Sequence, residues 1–284
     1  MGFPPLNERM IQAYRALRYP RSTLVPIVFW VLTMISLPIL GWILGENALI
    51  RGMSFGVFMQ ASAVIIILYT AWGWSRALKT ILIVTVFTYL AELLGSQTGF
   101  PFGKYHYTDL LQPQLAGVPL LIPLAWLMML PPAWAIAAII LEKPIQHKGH
   151  EATQRKTFLP ALKFSLLSAL ALTAWDLFLD PQMVGWGFWV WETPGLYFGI
   201  PLSNYFGWIL TSFLITLFAN PKDLPVGPLS LVYILTWILQ TIGQGIFWGQ
   251  PGPAAIGFLT CGLFVFLALR RSLENQKTGQ PTTE

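Results

Sequence analysis

Eight long apolar runs constrain this chain more than any other feature. They lie near residues 24–44, 54–73, 78–96, 115–141, 160–180, 203–219, 229–248 and 252–269. At ~1.5 Å per residue, each is long enough, or nearly so, to cross ~30 Å of hydrocarbon. A soluble domain could not hide so much apolar surface, because its exterior must stay wet. Composition agrees. The 284 residues are 55% hydrophobic and 10% charged, and a soluble domain is about 25% charged. Mean hydropathy is +0.60, which also excludes disorder. A bilayer admits helices or closed barrels, and barrel strands would alternate over about ten residues. These runs do not alternate. The expected fold is all-α, a polytopic membrane bundle of about eight transmembrane helices. The first run looks like a signal-peptide core, but it is too long and no small-residue cleavage site follows, so it reads as a mature helix.

Charge orients the bundle. With the N-terminus inside, fifteen of the seventeen Lys and Arg fall on the inner side, and only Arg51 and Lys104 fall outside. That is a strong positive-inside bias, and it places both termini in the cytoplasm of a bacterial inner membrane. It also explains the net charge of +5 without nucleic acid, since the cations are spread over five segments. The expected organisation is a cytoplasmic segment 1–23, one catalytic membrane domain 24–269 and a flexible cytoplasmic tail 270–284. Residues 1–22 suggest a short interfacial helix with Met10, Tyr14 and Leu17 on one face.

The acids carry the functional information. Glu92 lies in the third run, and Asp176 and Asp180 lie in the fifth. A carboxylate at mid-membrane costs about 2.5–3.5 kcal/mol on insertion scales, so such residues usually face a bundle interior. Asp176 and Asp180 are spaced i,i+4 and share a helix face, which Thr173 joins. Thr236, Gln240 and Gln244 form a polar stripe along the seventh run, and Asn204 opens the sixth. With the orientation above, all of these groups gather near the outer leaflet. They predict one buried polar pocket there.

Two loops on that side, SQTGFPFGKYHYTDLLQPQ (96–114) and PQMVGWGFWVWETPGLYFGIPL (181–202), are rich in Gly and aromatics. Solvated loops are normally polar, so these are expected to be re-entrant or interfacial and to pack over the pocket. An internal repeat is also visible. Gly117-Val118-Pro119-Leu120 with Trp126 matches Gly199-Ile200-Pro201-Leu202 with Trp208, 82 residues later. Glu92-Leu93 matches Asp176-Leu177, 84 residues later. Parallel repeats of this kind would turn Glu92 and Asp176 toward one cavity.

Carboxylates, amides and aromatics almost without cations exclude phosphate and diphosphate substrates, which need Arg, Lys or metal clamps. The Asp176-x-x-x-Asp180 spacing resembles the metal-binding acids of membrane prenyltransferases, but only Arg51 and Lys104 could help hold a diphosphate. His147 and His150 sit in a basic loop, and His106 stands alone. One cysteine, Cys261, permits no intrachain disulfide and no cysteine cluster. No P-loop, G-x-G-x-x-G or G-x-S-x-G is present. The remaining chemistry is protonation of an alkene. A buried carboxyl stays protonated near neutral pH, and two neighbouring carboxyls share one proton. Aromatic faces stabilise the resulting cation by about 0.5–2 kcal/mol each, and a deprotonated acid directs water to it. The substrate is then a lipid-soluble polyene entering from the bilayer.

The stretches TGFPFGKYHYTD (98–109), GVPLLIPLAW (117–126), AWDLFLDPQM (174–183) and WETPGLYFGIPLSNYFGW (191–208) closely resemble the CruF-type carotenoid 1,2-hydratase family. The resemblance runs over about residues 88–218. It implies addition of water to the terminal 1,2 double bond of an acyclic ψ-end, as in γ-carotene or lycopene, giving a tertiary alcohol. It implies no redox cofactor and no metal, and a downstream glycosyltransferase as partner. Residue roles come from burial and spacing. Asp176 or Glu92 donates the proton, and Asp180 shares it or orients water. Asn204, Gln240 and Gln244 hold the water. Trp175, Trp189, Trp191 and Tyr105 line the polyene end, with Asp109 and Glu192 as second-line binding residues. Three alternatives share these features: a lycopene-type cyclase, a proton-coupled transporter, and a carotenoid-binding protein without activity.

Overall fold

The computed structural model describes residues 21–142 and 158–277. It is an all-α membrane bundle. Seven of its helices are long and apolar enough to cross a bilayer. They are α1 (Arg21–Leu44), α2 (Glu46–Thr98), α3 (Leu121–Leu141), α4 (Phe158–Gly185), α5 (Leu202–Ala219), α6 (Val226–Ile242) and α7 (Pro251–Lys277). A π turn, Gly243–Phe247, extends α6.

Seven helices accommodate eight apolar runs because α2 is double. A straight helix of its 53 residues would measure ~80 Å, far more than a bilayer. It breaks at Gly73, whose φ of 74° and ψ of 173° are not helical and suit a residue without Cβ. The chain reverses there. Gln60 and Glu92 would stand ~48 Å apart in a straight helix. Yet Gln60 bonds Met129, and Glu92 accepts from Trp126, only three residues away on α3. Each arm is therefore a span.

Helix α3 is the axis of the bundle. In its most apolar stretch 72% of residues are buried, against 22% in α1 and in α6. A helix apolar on every face belongs in an interior, and α3 packs on α2, α4, α6 and α7. The other helices turn Leu, Ile and Phe outward, as a lipid-facing surface requires.

Two boundaries differ from the sequence expectation. Residues 115–120 are not helical. Strands β2 (Gln114–Leu115) and β3 (Val118–Pro119) form a hairpin there, turning through Ala116 and Gly117 at φ 49° and 82°. At the other end α7 runs on to Lys277, past the expected start of the tail at Arg270. Arg270 and Arg271 pair with Glu274 one turn on and support that extension. The interfacial helix expected within 1–22, apart from its last two residues, lies outside the described residues, as do His147, His150 and the chain beyond Lys277.

The two aromatic loops pair with each other. Strand β1 (Tyr105–Tyr107) runs antiparallel to β4 (Trp189–Trp191), in register Tyr105↔Trp191, His106↔Val190, Tyr107↔Trp189. Alternation on this ribbon turns Tyr105, Trp189 and Trp191 inward and leaves His106 and Val190 outside. The ribbon closes one end of the bundle.

The repeat is structural. Ala116-Gly117 and Phe198-Gly199 both turn with positive φ at two successive residues. The flanking bridges Leu115↔Val118 and Tyr197↔Ile200 are equivalent at the same offset of 82. Trp126 stacks on its counterpart Trp208 at 4.2 Å and 10°. The β1–β4 ribbon is centred on His106↔Val190, residues 84 apart. Antiparallel pairing of equivalent strands is what an approximate two-fold axis produces. One unit is the second arm of α2, β1, the hairpin and α3. The other is α4, β4, the second turn and α5.

Candidate active site

Three buried carboxyls meet below the ribbon. Glu92 lies less than two turns from the end of α2 and is 4% exposed. Its Oε2 accepts from the Tyr105 hydroxyl at 2.6 Å and the Tyr107 hydroxyl at 2.7 Å, and its Oε1 accepts from Trp126 Nε1 at 3.2 Å. The strand period presents both phenols to one carboxyl, since residues i and i+2 share a face. Burial, reinforced by Glu92 itself, pushes both phenols above their ordinary range. They therefore remain hydrogen-bond donors.

Asp176 and Asp180 sit one turn apart on α4 and are fully or almost fully buried. Asn204, near the start of α5, bridges them. Its Nδ2 donates to Asp176 Oδ2 at 3.2 Å and also to Asp180 Oδ2. One amide nitrogen has two hydrogens, so each carboxyl takes one. Asp176 Oδ1 is buried and has no hydrogen-bond partner among the described residues. Among those residues, no Lys, Arg or His forms an ion pair with any of the three acids.

A chamber of about 30 Å³ lies between Glu92 and Asp180, walled also by Tyr105, Tyr107, Asn204 and Trp191. A water needs roughly 10–15 Å³ measured in this way and two to four polar partners. The chamber meets both conditions. The Trp126–Trp208 stack forms part of its wall, and Trp175 abuts Trp208 edge-on at 6.1 Å.

A second cavity of about 610 Å³ adjoins it, lined by α1, α2, α3, α4 and α6. This is within the ~300–1,000 Å³ usual for small-molecule sites. Its walls are overwhelmingly apolar, with Met34, Met53, Met128 and Met183 among them. Ile122, Ala125, Leu179 and Trp189 line both spaces, so a single layer of side chains separates the lipid-like cavity from the polar chamber. Such an arrangement can hold an apolar chain with its end against the acids, and a water on the far side of them.

The sequence that builds this site matches a known family. A family profile described as carotenoid biosynthesis protein matches residues 51–264, a stretch that includes all three acids and Asn204. The chain belongs to the carotenoid biosynthesis protein family. It is also 34% identical over 137 residues to a bisanhydrobacterioruberin hydratase of Haloarcula japonica. The aligned part is 48% of this chain and 42% of that relative's length. No solved structure matches the chain.

Against this geometry the expected site residues separate. Glu92, Asp180, Asn204, Tyr105, Trp189 and Trp191 surround the chamber, with Asp176 directly behind Asn204. Trp175 and Gln240 line the large cavity instead. Gln244 reaches neither space. Its Nε2 donates to the Phe178 carbonyl at 2.6 Å and to Gln182 Oε1 at 3.1 Å, tying α6 to α4. Asp109 and Glu192 are exposed on the ribbon loops and line neither cavity. Sequence reasoning overlooked Tyr107, two residues from Tyr105 on one strand face. It noticed Trp126 and Trp208 only as repeat markers.

Proposed function

We propose that this member of the carotenoid biosynthesis family is a hydratase acting on the 1,2 double bond of an acyclic ψ-end, of the γ-carotene or lycopene type. The observation that carries this reading is the water-sized chamber between Glu92 and Asp180, one side chain away from a cavity suited to a polyene. The hydratase name of the Haloarcula japonica relative supports it.

Two carboxyls joined by one amide, with no cation paired to them among the described residues, hold a proton between them. The Asp176–Asp180 pair delivers that proton to C2 of the alkene, and the cation forms at the tertiary C1. Trp189, in the shared wall, offers its face to that cation. Glu92 accepts hydrogen bonds on both oxygens and acts as the base. It takes a proton from the chamber water as the water's oxygen bonds C1. The proton then passes back to the aspartate pair. The balance is alkene plus water to tertiary alcohol, with the enzyme unchanged and no cofactor or metal involved. A cyclase would share the first step but has no use for a water chamber, and a proton relay would need acids elsewhere along the bundle.

The fifteen-to-two distribution of Lys and Arg supports a bacterial inner membrane, cytoplasmic termini and a site toward the outer leaflet. Residues 24–269 form the catalytic domain in this reading, and the tertiary alcohol is what a glycosyltransferase would consume. Expression of the chain in a bacterium that makes lycopene or γ-carotene tests it. The expected pigment is more polar, heavier by one water and unchanged in chromophore. A ring-containing isomer of unchanged mass would make the chain a cyclase.

A further inference from the structure

The large cavity is closed at one end and open at the other. At the wall shared with the chamber, Ile122, Leu179 and Trp189 are each under 10% exposed. At the opposite end the lining residues Ile35 and Trp42 of α1 are 54% and 71% exposed. Ile242 and Phe247, on α6 and its π turn, are exposed as well and line the same space. The opening therefore lies on the lipid-facing flank of the bundle, between α1 and the π turn. Ile35, Trp42, Ile242 and Phe247, which mark it, are all apolar.

The two lips are held differently. Gln244, inside the π turn, is tied to the Phe178 carbonyl and to Gln182, and the Gln250 amide caps the Gln244 carbonyl. Helix α1 rests mainly on α2 and touches α6 much less. Across the gap Trp42 meets Phe247 edge to face at 5.6 Å. A single aromatic contact of this kind is weak enough to open readily. The π turn thus has a use, since such interruptions often mark functional positions.

We infer that the gap between α1 and the π turn is a side portal, gated by Trp42 and Phe247, that admits one end of a linear polyene while the rest of the molecule stays in the bilayer. The inference rests on the hydratase reading of the acid chamber. It adds a substrate rule. The protein reads only the end group and the segment next to it, and the far end is never inside. A polyene with one acyclic end and one ring is a substrate. A polyene with two acyclic ends is hydrated at each end in separate binding events.

The test uses full-length protein in membranes. In a Trp42→Cys, Phe247→Cys double variant, a reducible bis-maleimide joins the two lips. Linked protein is expected to hydrate γ-carotene about tenfold more slowly than the same protein after reduction. Recovery on reduction separates a closed portal from a misfolded variant. With the unmodified chain and lycopene, free singly hydrated pigment is expected to build up before the doubly hydrated one. Equal rates in linked and reduced protein would overturn the portal. Doubly hydrated lycopene appearing without a free singly hydrated form would overturn the one-end rule. If the unmodified chain hydrates neither pigment, the failure lies with the hydratase reading.

Discussion

The two halves of the repeat share a scaffold but not a chemistry. Each contributes an acid-bearing helix, an aromatic strand, a turn with two positive-φ residues, and a helix whose tryptophan stacks on its counterpart. They diverge at the residues beside the acids. Where the second unit has Asp180, the first has Ser96, bonded to its own helix at Leu93. Where the second has Asn204, the first has Ile122, which faces the apolar cavity. One half thus holds two acids bridged by an amide, and the other holds a single acid under three donors; in the proposed mechanism the first shares a proton and the second acts as base. Two pairs of positions, Asp180 against Ser96 and Asn204 against Ile122, carry that asymmetry.

That comparison can be broken at several points. The largest effect is expected from the second half. Asp180→Asn or Asp176→Asn should lower hydration by about 10²–10⁴-fold, the range for loss of a general acid, with protein still present in the membrane. Glu92→Gln should fall in the same range but should still permit protonation. In that variant, isomerised or cyclised pigment should rise relative to alcohol, which chromatography separates. Next, Tyr107→Phe removes one of the three donors to Glu92. A lost hydrogen bond to a charged group is worth about 1.5–3 kcal/mol, so roughly a tenfold to hundredfold slower reaction is expected, with Tyr105→Phe similar. A sharper probe makes the first half resemble the second. Ser96→Asp alone should destabilise the folded protein by about 1–3 kcal/mol, read as a lower melting temperature in detergent. Adding Ile122→Asn should restore part of that loss. The smallest effect belongs to the shared frame. Trp208→Phe leaves Glu92 its three donors and should weaken the stack on Trp126 by about 1 kcal/mol, read as a slightly lower melting temperature in detergent.

The membrane class and the positions of the spans were legible because a bilayer crossing demands ~20 apolar residues in a row and soluble folds rarely do. The reversal at Gly73 was legible as well, since one apolar run ends at 73 and the next begins near 78; that the helix resumes there without a loop shows only in the backbone of Gly73. The hairpin at 114–119 read as membrane helix because Leu115 and Val118 are apolar, and its turn shows only in the backbone at Ala116 and Gly117. The acids stood out through the cost of burying charge. Asn204 and Tyr105 were found with them, but other partners were not. Tyr107 and Trp126 reach Glu92 across 15 and 34 residues of chain, and no local pattern encodes such a distance. Gln244 has the right type and spacing for a water ligand, but the π turn rotates it toward the Phe178 carbonyl instead. Asp109 and Glu192 were second-line candidates from their place in the aromatic loops, and both sit just past the ribbon strands, exposed.

Isotope labelling tests the central claim most directly. Membranes containing the chain would be supplied with an acyclic polyene in water enriched in oxygen-18, and the pigments analysed by mass spectrometry. Capture of chamber water by a C1 cation predicts one labelled hydroxyl per hydrated end and an unchanged chromophore. A hydroxyl without the label, or an unlabelled isomer of the substrate's own mass, would contradict it.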